Sequence, residues 1–539
     1  MKTDAALWRL ATWFSLICLS RWKRLLLRLS AALLVVALVG CSPQSREARQ
    51  LLRAEKHLAA GDYDRAEIEY LNVLQGNRTN LAAVRGLAQI ALDQGRLVRA
   101  YGLYAEAAKL WPQDFEFRLR LASLRLPAGR TEALHQEVSA LVQQQPANPE
   151  ALLLWVDSLP LTNDVRELER RLKALEPVAG PSAGYHVAMG MLLARAQDYS
   201  RAEQSFQRAV ELDAKSPKAH LGLGLLYWRQ KDLARAEQAL KTAAELAPVR
   251  STERLQYADI KVARGDPAAA REWLEALAQK APDFLPAQVR LAQLALGERR
   301  PDQAEQVLKQ VLLRDAGYLD AQLLLARVYL AQNAADKAVQ ELESALKNFP
   351  RLPQVHHQMA VAQLAQGNQA EAMLRLREAL VIQPDFAEAA LLLAEIHLRR
   401  GDGPAAEDLL RQFLQRQPDH TRAKLMLAAA REGQGNLAGA LQIYQDLGRT
   451  QPGNTQAMLL EGLLLKRLGR LSEAQARFER ALSVDPGFLP AVEQLLFLDF
   501  AASRFATAEQ RVQQQIERAP QQAAPWLLLA KVQAAQTNF

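Results

Sequence analysis

Alanine recurs at one fixed spacing through almost the whole chain: positions 66, 100, 202, 236, 270, 304, 338, 372, 406, 440, 474 and 508 all stand 34 residues, or a multiple of 34, apart. Leu134 and Leu168 occupy the two other slots of that register, so fourteen segments follow one another without net insertion or deletion. A period of this length means that each segment is one supersecondary unit sharing its core with its neighbours, which excludes a string of unrelated domains. It leaves function open, because an array of this kind works through whatever surface it presents.

Three further marks keep the same step. A second small residue stands twelve positions before the Ala slot, as at Ala54, Ala88, Gly190, Gly224 and Gly462. Proline stands twelve positions after it, as at Pro112, Pro146, Pro248, Pro282 and Pro384. Glycine precedes the Ala slot by five positions at Gly61, Gly95, Gly129, Gly265, Gly367, Gly401, Gly435 and Gly469. Glycine can take the left-handed conformation that closes a helix, and Asp62, Asp198, Asp232, Asp266, Asn368, Asp402 and Asn436 directly behind that slot are suited to cap the next one. Proline ends the second helix, with Asp114, Asn148, Asp283 and Asp385 in the turns that follow. Each segment therefore reads as two helices. The paired small residues let them approach, and larger side chains such as Tyr70, Phe206, Leu223, Tyr444 and Phe478 fill the space around them.

This pattern resembles the tetratricopeptide repeat, whose consensus carries Trp, Leu, Gly/Ala, Tyr, Ala, Phe/Tyr, Ala and Pro at these spacings. Gly61-Asp62-Tyr63-Asp64-Arg65-Ala66-Glu67 and Gly469-Arg470-Leu471-Ser472-Glu473-Ala474 carry the likeness, which extends over roughly residues 47 to 539. The resemblance implies an all-α fold, a TPR α-solenoid in which helix-turn-helix units wind into a right-handed superhelix. Residues 47–522 hold the fourteen repeats, and 523–539 read as the first helix of an incomplete fifteenth. Repeats at about 115–182 are degenerate: they lose the Ala, place Pro127 and Pro160 inside expected first helices, and end in the loose stretch Glu176-Pro177-Val178-Ala179-Gly180-Pro181, so a local bend is expected there. At the far end Pro525-Trp526-Leu527-Leu528-Leu529-Ala530 is apolar on more than one face, as expected of a truncated or continuing chain.

Residues 1–40 stand outside the period. Arg21, Lys23, Arg24 and Arg28 precede an apolar run from Leu29 to Val39, then Gly40-Cys41, which describes an export signal. The run is too short for a span of roughly 20 apolar residues. Leu38-Val39-Gly40-Cys41 resembles the bacterial lipoprotein box, which implies lipidation of Cys41, cleavage ahead of it, and a short tether over 41–46. Ser42 rather than Asp follows the cysteine, which by the same resemblance implies outer-membrane sorting and a periplasm-facing lipoprotein of the bacterial cell envelope.

The formal charge of +8 is mostly that signal: without Lys2, Arg9, Arg21, Lys23, Arg24, Arg28 and Asp4 it falls to +3. The remaining charges interleave, as in Arg65-Ala66-Glu67, and argue against a nucleic-acid partner. Cys18 and Cys41 are the only cysteines, so the array folds without disulfides. No CxxC, HExxH, GxxxxGK[ST] or GxSxG motif occurs, and no enzyme activity, cofactor or small-molecule substrate is expected. His186, His220 and His356 share a register but sit on different repeats, and neighbouring His356 and His357 diverge on a helix, so no metal site is expected.

The family's inner face is lined by positions 2, 5, 9, 12 and 13 of each first helix. Position 5 is mostly Leu and position 12 adds Trp228, Val262 and Leu296, so the concave groove is expected to be partly apolar and to take a protein or peptide partner. Leu221, Leu225 and Trp228 at i, i+4 and i+7, with Leu255, and Phe497 and Phe500 further on, are the candidate contacts. The resemblance to TPR lipoproteins of exopolysaccharide and exosortase (PEP-CTERM) systems implies a membrane-tethered, non-enzymatic scaffold that recruits proteins for surface export or assembly. Two rivals are the repeat portion of a larger enzyme such as a glycosyltransferase, and an inner-membrane-anchored assembly factor.

Overall fold

The computed structural model describes residues 43–126, 131–160 and 165–537. The expected signal, Cys41 and Pro127 lie outside them. Among the described residues there are thirty helices and no strand, in two compact units, one running to Gln332 and the other from Asn333. Each unit is an α-solenoid of antiparallel helix pairs, so the all-α solenoid expected from the period is the fold.

The glycine slot shows why the helices end where they do. Gly61, Gly95, Gly265, Gly367, Gly401, Gly435 and Gly469 all have φ between 73 and 83°. Where the slot holds another residue the backbone takes the same turn: Gln197, Lys231, Arg299, Asn333 and Ser503 have φ between 55 and 65°. The left-handed turn is therefore fixed by the packing of the helix pair, and glycine only makes it cheap. Behind it Asp62, Asp198, Asp232, Asp266, Asp402 and Asn436 each accept a hydrogen bond from the backbone N–H three residues on. Asn368 does not cap: its amide donates to Gln363 and Gln366 instead.

All twelve alanines of the repeat slot are fully buried. The companion small residues make room for the aromatic ring of the second helix. A Cβ at Gly190 would lie 2.7 Å from Phe206 Cδ1, and one at Gly462 would lie 2.8 Å from Phe478 Cδ1. Phe206 and Phe478 are correspondingly buried to 2% exposure or less.

In the degenerate region the helices are shortened, to Phe115–Arg125, Pro149–Ser158 and Val165–Ala174, followed by the single turn Glu176–Ala179. Two expectations change here. The first helices end at Arg125 and Ser158, ahead of positions 127 and 160, rather than containing those prolines; Leu159, directly before Pro160, is pushed out of the helical region to ψ 121°. The stretch after Leu175 is a helical turn, not loose chain. Leu134 and Leu168 take the alanine slots and stay buried. Arg195 secures the shortened Pro149–Ser158 helix by donating to the carbonyls of Val156 (3.3 Å), Leu159 (2.6 Å) and Pro160 (3.0 Å).

Candidate binding surface

The histidines have a structural account. His186, His220 and His356 each hold a ring nitrogen 2.9–3.0 Å from the carbonyl six residues earlier, at Gly180, Ala214 and Pro350. Arg254, Gln288 and Trp526, in the same register, donate to Pro248, Pro282 and Pro520 in the same way. The slot ties the first helix to the carbonyl of the preceding linker, and any side chain with an N–H at that reach serves. Among the described residues no group of three or more His, Cys, Asp or Glu side chains could hold a metal ion.

In the N-terminal unit the helix Pro217–Arg229 carries Leu221, Leu225 and Trp228. Leu221 packs against the core, Leu225 is 42% exposed, and Trp228 is half-buried at the wall of a cleft of about 940 Å³. Val262, Leu294 and Leu296 complete its apolar side; Asp259, Arg290, Glu298 and Arg327 make the other. Leu255 belongs to the core around Ala258, Leu274 and Leu277, and its edge reaches a second chamber of about 800 Å³ that shares Arg290 with the first.

That second chamber carries charged side chains among its apolar ones. Arg120 pairs with Glu150 at 2.9 Å and with Glu116 at 2.7 Å. Glu253 is buried and receives Lys218 Nζ at 2.7 Å. Burial alone raises a carboxyl's pKa, but Lys218 together with hydrogen bonding to the carboxylate outweighs it and holds that of Glu253 below the usual value. Asp259 goes the other way: burial raises its pKa, and Arg290 at 3.3 Å only partly offsets that. The groove is thus more polar than positions 5 and 12 suggested. The missed charges stand in the neighbouring columns, Lys218 and Asp320 at position 2, Asp259 and Arg327 at position 9, which the resemblance to the tetratricopeptide repeat also implied as inner-face positions.

In the C-terminal unit Phe497 and Phe500 share the helix Leu489–Ala501. Phe497 is 57% exposed with Lys466 Nζ 4.4 Å from its ring centroid. Phe500 packs on the core that contains Val492 and Leu496, its ring 6.0 Å from that of Phe505. The two aromatics therefore differ: one offers an open face and the other is largely used.

Comparison with known proteins agrees with this architecture. Two family models described as tetratricopeptide repeat match, one over residues 261–317, 295–364, 363–430, 401–464 and 431–496, the other over 51–115 and 187–251. No curated protein matches the chain. Among solved structures the chain is similar to yeast Tom70, with 16% identity over 79% of this chain and 97% of that one at a TM-score of 0.45. It is also similar to IFIT1 with Gppp-AAAA, at 16% identity over 79% and 94% of the two chains and a TM-score of 0.37. A tetratricopeptide repeat protein from Parabacteroides merdae matches at 16% identity over 43% of this chain and 93% of its own, with a TM-score of 0.33. With repeat matches spread over more than half of its length, and helix pairs built on the glycine, alanine and proline slots, the chain belongs to the tetratricopeptide repeat family.

Proposed function

We propose that this protein is a non-enzymatic scaffold that binds a partner polypeptide inside the N-terminal unit and is held at a bacterial membrane by lipid on Cys41. The observation that carries the binding reading is the cleft beside Trp228. Its apolar wall of Trp228, Val262, Leu294 and Leu296 faces Asp259, Arg290 and Arg327, so an extended segment can bury a side chain on one side and bond its backbone or charges on the other. Trp228→Ala removes the largest apolar surface of the cleft and is expected to weaken partner binding by at least about tenfold, measured by affinity capture from detergent extracts and then by titration of the captured partner. Undiminished binding in the variant refutes the assignment.

The tether is supported by the cationic cluster, apolar run and Gly40-Cys41, and the outer membrane by Ser42. Mass spectrometry of the mature N-terminus tests both processing and anchor: acylated Cys41 as first residue is expected, whereas an unmodified residue upstream of it leaves an inner-membrane-anchored assembly factor. Service in exopolysaccharide export or an exosortase-type surface system rests on the resemblance to the lipoproteins of those systems.

A further inference from the structure

A stacked array makes its contacts between neighbours. The N-terminal unit breaks that rule at one place, where the chain meets itself 189 residues on. Arg250, in the linker ahead of the helix Thr252–Ala263, is the centre of it. Its guanidinium grips Asp283, with Nη2 2.6 Å from Oδ1 and Nε 3.2 Å from Oδ2, and reaches across to donate to the Gly61 carbonyl at 3.3 Å. The same group lies 4.0 Å over the ring of Tyr63. From the other direction Gln94 Nε2 donates to Asp283 at 3.3 Å, and the Leu285 N–H donates to the Gln94 carbonyl at 3.2 Å. Gly95 lies so close to Pro286 that a Cβ would overlap its ring.

Linkers of the first two repeats thus seat on linkers at the start of the seventh and eighth, closing the unit into a ring. Asp283 stands one position ahead of the N-cap slot, which Phe284 fills without a side-chain cap bond, so its carboxylate serves the seam rather than the helix Leu285–Gly297. The apolar cores on the two sides stay separate: those holding Tyr70 and Tyr104 do not merge with the one holding Leu274 and Phe284. The seam is therefore closed by a sequestered ion pair, a longer one between Arg96 and Asp315 (4.0 Å), hydrogen bonds, one cation–π stack and the Gly95–Pro286 contact, with side chains of Arg250 and Asp283 only 14% and 9% exposed. Such a seam opens and shuts without unpacking a core. It also forms a wall of the charged chamber, whose lining includes Asp93 and Gly95 from one side and Arg250 and Pro286 from the other.

We propose that Arg250–Asp283, seated on Tyr63 and Gln94, is a latch that holds the N-terminal unit as a closed ring, and that its release turns the chamber into an open groove accessible to a polypeptide. The closure stands without any partner; only the access step rests on the binding reading above, and the two are read separately. In the full chain, Asp283→Asn keeps the shape and removes the charge, and Arg250→Lys keeps the charge and loses the bidentate grip.

Hydrogen exchange is expected to quicken about tenfold or more in both variants at residues 92–97 and at 283–289 together, with helices at 199–246 unchanged. Quickening confined to 250–290, or none at all, overturns the latch, because a neighbour-only array carries no effect to residues 92–97. For access, Ser123→Cys places a thiol at the chamber wall in a chain whose Cys18 and Cys41 are replaced by serine. The ratio of its modification rates by a polymer-linked maleimide and by N-ethylmaleimide is expected to rise about tenfold when Asp283→Asn is added, in proportion to the open population. An unchanged ratio overturns the access step and leaves the partner cleft at Trp228 standing.

Discussion

Five side chains sit in the left-handed turn without being glycine, and each carries a cost that its glycine counterparts avoid. For L-residues this conformation costs roughly 1–2 kcal/mol, partly repaid by the lower chain entropy of a side-chain residue in the unfolded state. Lys231, exposed at φ 65°, is the simplest case. Lys231→Gly is expected to stabilise the N-terminal unit by about 0.5–1 kcal/mol, read as a higher urea midpoint at unchanged slope. Glu461 shows a different strain. It is buried, and burial raises its carboxyl pKa above the usual value despite Arg477 at 3.0 Å. Because the folded-state value lies above the unfolded one, the fold is favoured while the group is protonated and loses that advantage as pH rises through the raised value. Glu461→Gln is therefore expected to stabilise the C-terminal unit at pH 7 and to make no difference in acid below the unfolded carboxyl range, as measured by thermal unfolding across pH. A gain that persists unchanged into acid contradicts this.

At the scale of the helix, the regular repeats were legible because their boundaries depend on local backbone rules: a left-handed turn, a capping carboxylate and a proline. What was not legible depends on reach. The slot shared by His186, His220, Arg254, Gln288, His356 and Trp526 looks chemically mixed in sequence, yet these six do one job, bonding a linker carbonyl six residues back. The charged inner columns were missed because their charges are scattered among other residues, with Lys218, Thr252, Pro286 and Asp320 at position 2 and Leu225, Asp259, Gln293 and Arg327 at position 9, so no single residue type marks them. In the degenerate region a long-range donor replaces local signals. Arg195 donates to carbonyls at the end of the Pro149–Ser158 helix, to that of Val156 beside the Leu159 N–H and to that of Leu159. Arg195→Ala is expected to cost about 2 kcal/mol and to quicken hydrogen exchange across residues 149–158 first. An unaltered exchange pattern there means that the clamp contributes nothing.

At the scale of the molecule, the repeat period foretold the solenoid but could not foretell where the N-terminal unit returns on itself. The joined residues are 189 apart, which is no multiple of 34, and Asp283 in sequence is indistinguishable from a turn residue. The Trp228 cleft was reached from sequence only through its apolar half. The central claim is that this cleft holds a partner polypeptide, and photocrosslinking tests it most directly. A benzophenone amino acid replaces Val262, which is 42% exposed on the cleft wall, and in a control chain replaces Arg208 on the exposed side of the helix Tyr199–Leu212. The expected result is a crosslink from residue 262 to one defined segment of a partner, lost when Trp228→Ala is added and absent from position 208. Equal crosslinking from both positions, or a crosslink at 262 indifferent to Trp228, would contradict the account.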